Sequence, residues 1–153
     1  MNITVNKKTY EISGAQLETR LVDFLRDELG LTGIKNACDI GACGACTTLI
    51  DDRPVKICHV YVEEVVDKKI LTIEGMEGED GSLHPLQRAF IEAGAIQCGY
   101  CIPGMVLTAH ALLSKNNSPT RDEIRHAIKG NLCRCTGYQQ IIDAIERAAP
   151  LYR

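Results

Sequence analysis

The chain has 153 residues, 45% of them hydrophobic and 24% charged, with a formal net charge of −3. That length fits one ordinary domain or two small ones, and the balance is that of a soluble globular protein. A mildly acidic chain without a long Lys/Arg run argues against nucleic acid as the main partner, and no apolar run is long enough to insert into a bilayer.

The N-terminal stretch MNITVNKKTYEIS alternates apolar and polar residues and has no apolar core of a secretory signal, so the expected location is the cytoplasm. NITV and TYEIS read as two strands around the turn NKK. TRLVDFLRDELG puts Leu21, Val22, Leu25 and Leu29 on one helical face with Phe24 beside them, Thr19 as N-cap and Gly30 just past the end. TTLIDDRPVKIC reads strand, turn, strand, with Asp51, Asp52 and Pro54 making the turn. KKILTIEGM is a further strand. The glycines and acids of EGMEGEDGSLHP then mark a change of composition, which sets the domain boundary near Glu77 to Ser82.

Beyond it the strand signal fades. LHPLQRAFIEAGA, PGMVLTAHALLSK with Pro103 in its first turn, TRDEIRHAIKGN with Thr120 and Glu123 at capping-box spacing, and YQQIIDAIERAAP with Ile141, Ile142 and Ile145 inward read as four short helices. The expected fold class is α+β: a mixed domain over residues 1–76, then a four-helix bundle over 77–153. Each half is small enough to need a staple.

Eight cysteines in a chain without an export signal point to metal or redox chemistry rather than disulfides. They divide four and four across the boundary. Cys38, Cys43, Cys46 and Cys58 read C-x4-C-x2-C-x11-C, the order of plant-type [2Fe-2S] ferredoxins. Gly41 and Gly44, with small Ala42 and Ala45, let backbone N–H groups approach sulfide and permit positive φ. Zinc sites use two C-x2-4-C pairs instead, so the spacing favours iron–sulfur. Cys98 and Cys101 in QCGYC, and Cys133 and Cys135 in NLCRC, form the second set. C-x2-C alone opens zinc knuckles, redox dithiols and cluster sites alike; the later C-x-C narrows this. Both pairs stand just before expected helices, whose N-termini suit thiolate and sulfide. Arg134 adds a cation there, or is a plain surface residue. No Ser-His-Asp set, phosphate loop or paired carboxylates are visible. His59, His84, His110 and His126 are scattered and read as surface or packing residues. Two clusters without catalytic apparatus suggest an electron wire.

Together and in this order, GIKNACDIGACGACTTLIDDRPVKIC, LHPLQRAFIEAGAIQCGYCIPGMVL and NLCRCTGYQQIIDAI resemble the small iron–sulfur subunit of the molybdenum hydroxylases, the xanthine oxidase/aldehyde oxidoreductase family. The resemblance spans nearly the whole chain. It implies a β-grasp plant-type ferredoxin domain and a four-helix bundle, each with a [2Fe-2S] cluster on its four cysteines. It also implies a large molybdopterin subunit as partner and an FAD-binding subunit beside it. Electrons would run from molybdenum through the bundle cluster and the ferredoxin-domain cluster to FAD or another acceptor. By position, Gln97 and Cys135 would lie against the pterin. Two residues depart from the family pattern. Ala37 stands where Gly is usual, and Ile102 replaces a Thr expected to cap the following helix. The competing functions are a free-standing two-cluster ferredoxin and a structural zinc protein.

Overall fold

β1 (Asn2–Val5) and β2 (Lys8–Glu11) pair antiparallel through a two-residue turn at Asn6 and Lys7. The chain is seen here in a computed structural model that describes residues 1–152. Both turn residues take positive φ, 49° and 69°, which gives the turn a twist matching that of its strands. The same device joins β3 (Thr47–Ile50) to β4 (Arg53–Lys56), with Asp51 and Asp52 at φ 48° and 63°. Pro54 is therefore not a turn residue. It lies within β4 opposite Leu49, and β4 is a sheet edge, where a missing N–H is tolerated.

β5 (Lys69–Leu71) completes a mixed sheet of order β2-β1-β5-β3-β4, parallel only between β1 and β5. It is shorter than its apolar run suggests. The Thr72 amide donates to Asn6 Oδ1 at 2.9 Å, and Ile73–Met76 coil into a 3-10 turn. The first helix also departs from expectation. It starts after Arg20 rather than Thr19 and is regular only over α1 (Leu21–Asp23), followed by a π-helical turn over Phe24–Glu28. The wider turn closes through Leu29 N donating to Phe24 O at 3.1 Å. It swings both Phe24 and Leu25 into the core, leaving Leu29 half-buried. Gly30 ends the element at φ 71°, as the sequence requires.

After the exposed turn at Gly78–Ser82, closed by Gly78 N to Ser82 O at 2.8 Å, come α2 (Pro85–Glu92), α3 (Ile102–Leu113), α4 (Arg121–Ile128) and α5 (Gln139–Ala148). The Thr120–Glu123 capping box forms as expected. α2 is capped by His84, whose Nδ1 accepts from Leu86 N at 3.2 Å. α3 is buried without a break from Gly104 to Ala109, the habit of a helix covered on all sides.

Two apolar clusters result. Ile3, Val5, Leu21, Leu25, Ile57 and Ile70 fill one between the sheet and α1. Leu86, Phe90, Met105, Leu107, Ile124 and Ile145 fill the other among the helices. β3 serves both. Successive strand residues face opposite ways, so Ile50 enters the first cluster and Leu49 the second. That is why TTLI has no exposed position. Among the described residues, no helix is long and apolar enough to cross a membrane.

Candidate functional site

The loop between Asn36 and Cys46 turns sharply, because Asp39, Gly41 and Gly44 all take positive φ (55°, 70° and 77°). Its amides turn toward sulfur. Cys43 N lies 3.3 Å from Cys38 Sγ, and Ala45 N 3.5 Å from Cys43 Sγ. Backbone N–H groups, that of Ile40 first and that of Cys43 next, bring the Cys38 thiol down to about 6; this half-circle of donors is one that an anionic sulfur centre needs. Cys46 and Cys58 stand deeper, at 2% and 0% exposure. Burial pushes the Cys46 thiol up to about 11, and the adjacent Cys58 thiol adds to the rise. Cys58 sits in the 3-10 turn Ile57–His59 directly after β4.

A side-chain lock holds this loop. Arg20 donates to Asp39 Oδ1 at 2.7 Å and to Asp23 Oδ2 at 2.7 Å, and Asn36 Nδ2 reaches the same Asp39 oxygen at 3.1 Å. Arg20 holds the Asp39 carboxyl below its ordinary range. The lock was not legible in sequence, since its members lie far apart and form no local pattern. Lys56 Nζ adds a bond to Ala42 O at 2.8 Å.

In the second set Cys101 is the N-cap of α3. Ile102 is thus the first helical residue and not a cap, so a hydroxyl there would not serve the capping role expected of it; instead it packs against the helical core. Burial pushes Cys101 up to about 12, and the Cys133 thiol beside it adds to this. At Cys133, burial is the largest single effect and acts upward, but it is outweighed by hydrogen bonds acting together from Thr136, whose hydroxyl lies 3.1 Å from the sulfur and whose backbone also contributes, from the Cys135 backbone and from Cys101, so the thiol falls below its usual value. Tyr138 accepts from Cys133 N at 2.8 Å through its hydroxyl and starts α5 from a left-handed φ of 70°. The Thr-Gly-Tyr that follows the C-x-C is therefore its support. Cys98 and Cys135 are exposed, their sulfurs 3.5 Å apart.

In both sets the thiols approach in twos: Cys38 with Cys43, Cys46 with Cys58, Cys98 with Cys135, and Cys101 with Cys133. Among the described residues, no three His, Cys, Asp or Glu side chains gather as a cage for one ion. One tetrahedral ion draws four donors to a single point, whereas a [2Fe-2S] cluster takes two thiolates at each of two irons. The donor set fits the second group.

The two sets also meet. Cys43, Cys98, Cys101, Cys133 and Cys135 line one cavity of about 160 Å³. Leu132 N donates to Cys43 O at 2.8 Å, and the Tyr100 hydroxyl donates to Asn36 O at 2.8 Å. Ala37 lines the same cavity without positive φ, so its Cβ is accommodated. Arg134 is exposed at the rim. Gln97 is exposed beside Cys98, and its amide has no hydrogen-bond partner among the described residues. His59 and His126 are exposed, while His84 and His110 pack edge to face on each other at 5.3 Å, with Tyr152 edge to face on His110 at 5.5 Å.

Two family models cover the chain: a 2Fe-2S iron–sulfur cluster binding domain over residues 3–86 and a [2Fe-2S] binding domain over 72–146. The nicotinate dehydrogenase small FeS subunit of Eubacterium barkeri is 47% identical over 148 residues, which cover 97% of this chain and 93% of that one. The chain belongs to the small iron–sulfur subunits of the molybdenum hydroxylases. The nicotine 6-hydroxylase small subunit of Paenarthrobacter nicotinovorans is 43% identical, with 95% of this chain and 86% of that one covered. Among solved structures, quinoline 2-oxidoreductase from Pseudomonas putida superposes with a TM-score of 0.87 at 41% identity, over 97% of this chain and 94% of that chain. Aldehyde oxidoreductase from Desulfovibrio gigas gives 0.91 at 41% identity over 97% of this chain, but only 16% of that longer one. In this small-subunit family the fold thus occurs both as a chain of similar length and as one part of a larger polypeptide.

Proposed function

We propose that this chain is the electron-transfer subunit of a molybdenum hydroxylase, carrying electrons from a large molybdopterin subunit to FAD or another acceptor. The observation that carries the reading is the shared cavity, which brings Cys43 of one thiol set against all four thiols of the other. A bound [2Fe-2S] cluster supplies uptake and release of one electron at a time. Cys38 with Cys43, and Cys46 with Cys58, would hold the two irons of one cluster; Cys98 with Cys135, and Cys101 with Cys133, those of the other. The amides of Ile40, Cys43 and Ala45 would support charge on sulfur. The Leu132-to-Cys43 hydrogen bond gives a direct backbone link between the sets.

In this reading residues 1–76 form a β-grasp domain and residues 77–153 a four-helix bundle. The exposed Cys98–Cys135 face docks on the large subunit. Ile96, Tyr100 and Leu132 are 40%, 45% and 58% exposed around it, which suits a surface covered in the complex. Gln97, whose amide is unspent, would offer donor and acceptor to the pterin edge, with Cys135 beside it. An FAD subunit would take the ferredoxin-like side, and the assembly would work in the cytoplasm. In the purified complex, Gln97→Ala should lower pterin retention or turnover while iron and sulfide content stay at the wild-type level. Full pterin content and turnover in that variant would remove the role from Gln97.

A further inference from the structure

The two thiol sets are joined where three backbones come closer than side chains allow. A Cβ on Gly44 would stand 2.3 Å from Gly130 O and 2.9 Å from Asn131 Nδ2, and one on Gly104 would stand 2.6 Å from Gly44 O. Asn131, only 4% exposed, occupies the middle of this seam. Its Nδ2 donates to Gly44 O and to Thr47 Oγ1, both at 3.2 Å. Its Oδ1 accepts from Thr108 Oγ1 at 3.0 Å. Thr47 Oγ1 in turn donates to Gly44 O at 2.7 Å. The amide orientation follows from the network: reversed, it would set oxygen against the Gly44 carbonyl.

The Thr108 hydroxyl has one proton and lies within reach of both Gly104 O, at 2.9 Å, and Asn131 Oδ1. Donation to Asn131 is the arrangement that leaves no buried amide oxygen unpaired, since no other donor reaches it among the described residues. Asn131 thus commits both amide protons and one lone pair of its oxygen to three elements: the first cysteine loop, β3 and α3. It stands two residues before Cys133 and bonds the residue that follows Cys43.

We infer that Asn131, oriented by Thr108, is a positioning residue that sets the separation between the two cluster sites. The inference rests on the reading that both thiol sets hold clusters. Electron tunnelling falls exponentially with distance, so a fixed gap matters more to this chain than the strength of any one bond. A loose seam would leave each cluster intact and blur the step between them.

The test uses the full chain in its complex, reduced with dithionite, with iron and sulfide measured first. Two nearby reduced clusters are two paramagnets, and their mutual splitting in low-temperature EPR reports their separation. In Asn131→Ala both clusters should remain, each with its own unchanged g values, while the splitting shrinks or broadens. Thr108→Val should do the same to a lesser degree, and Thr108→Ser, which keeps the hydroxyl, should retain the wild-type splitting. If Asn131→Ala does not fold, the two Thr108 variants carry the comparison. A wild-type splitting in Asn131→Ala, identical behaviour of Thr108→Val and Thr108→Ser, or loss of a cluster from Asn131→Ala would each overturn the positioning role. A wild-type chain that lacks two clusters sinks both the inference and the reading beneath it, and metal analysis shows this before any variant is compared.

Discussion

Gly44 answers two separate requirements. Its φ of 77° lies in the left-handed region, and its missing side chain leaves room for Gly130 O across the seam. Gly44→Ala should therefore cost about 1–3 kcal/mol from backbone strain alone, with overpacking added. A urea titration of the loaded chain should show a lower midpoint with little change in slope; an unchanged midpoint would mean that the two backbones part easily. The first requirement is legible in sequence, because a tight cysteine loop rich in glycine implies positive φ. The second is not, since the residues that crowd Gly44 are remote in the chain. The same holds for Arg20 and Asp39. Their charges are plain in the sequence, but only the fold brings them together to pin the Cys38 loop.

At the scale of elements, local chemistry is legible in the sequence where it is self-contained. The Thr120–Glu123 box and the inward isoleucines of α5 stand as expected. It is less legible where a distant partner ends an element, as Asn6 does for β5, or where a helix widens into a π-helical turn, as at Phe24–Glu28. The cap of α2 is a further case, because His84 serves as an acceptor only while its imidazole is neutral. Burial lowers both His84 and His110 from 6.5. The unfolded chain then takes up protons at a pH where the folded one does not, so stability is full above about 6.5 and falls as pH drops through the lower folded values. Asp52 opposes the shift at His110, and Asp39, Asp80 and Glu123 titrate below this window. The urea midpoint of the loaded chain, in which Cys38 is not a free thiol, should fall between about pH 7 and about pH 5. His84→Asn keeps a capping acceptor without a proton to gain, so it should show a shallower fall. An equal slope in that variant would place the pH dependence elsewhere.

Across the whole molecule, the halves that composition separates near Glu77 are joined by β3, which feeds both cores, and by the seam between the cysteine loops. The change of composition coincides with the exposed turn at Gly78–Ser82, but it carries no sign that TTLI is covered on both faces. The exposed side chains around Cys98 and Cys135 belong to this scale too. Leu132→Asp should release the chain from its large subunit on size-exclusion chromatography while leaving its iron content unchanged; continued co-migration would move the docking face. The central claim is that eight cysteines, held in four pairs, carry two clusters in electronic series. EPR of the intact complex during a stepwise reductive titration tests it most directly. The account predicts two distinct [2Fe-2S] signals per chain, each appearing as one electron is added and each affected by the other. A single signal, or a reduced protein without signals that contains zinc in place of iron and sulfide, would contradict it.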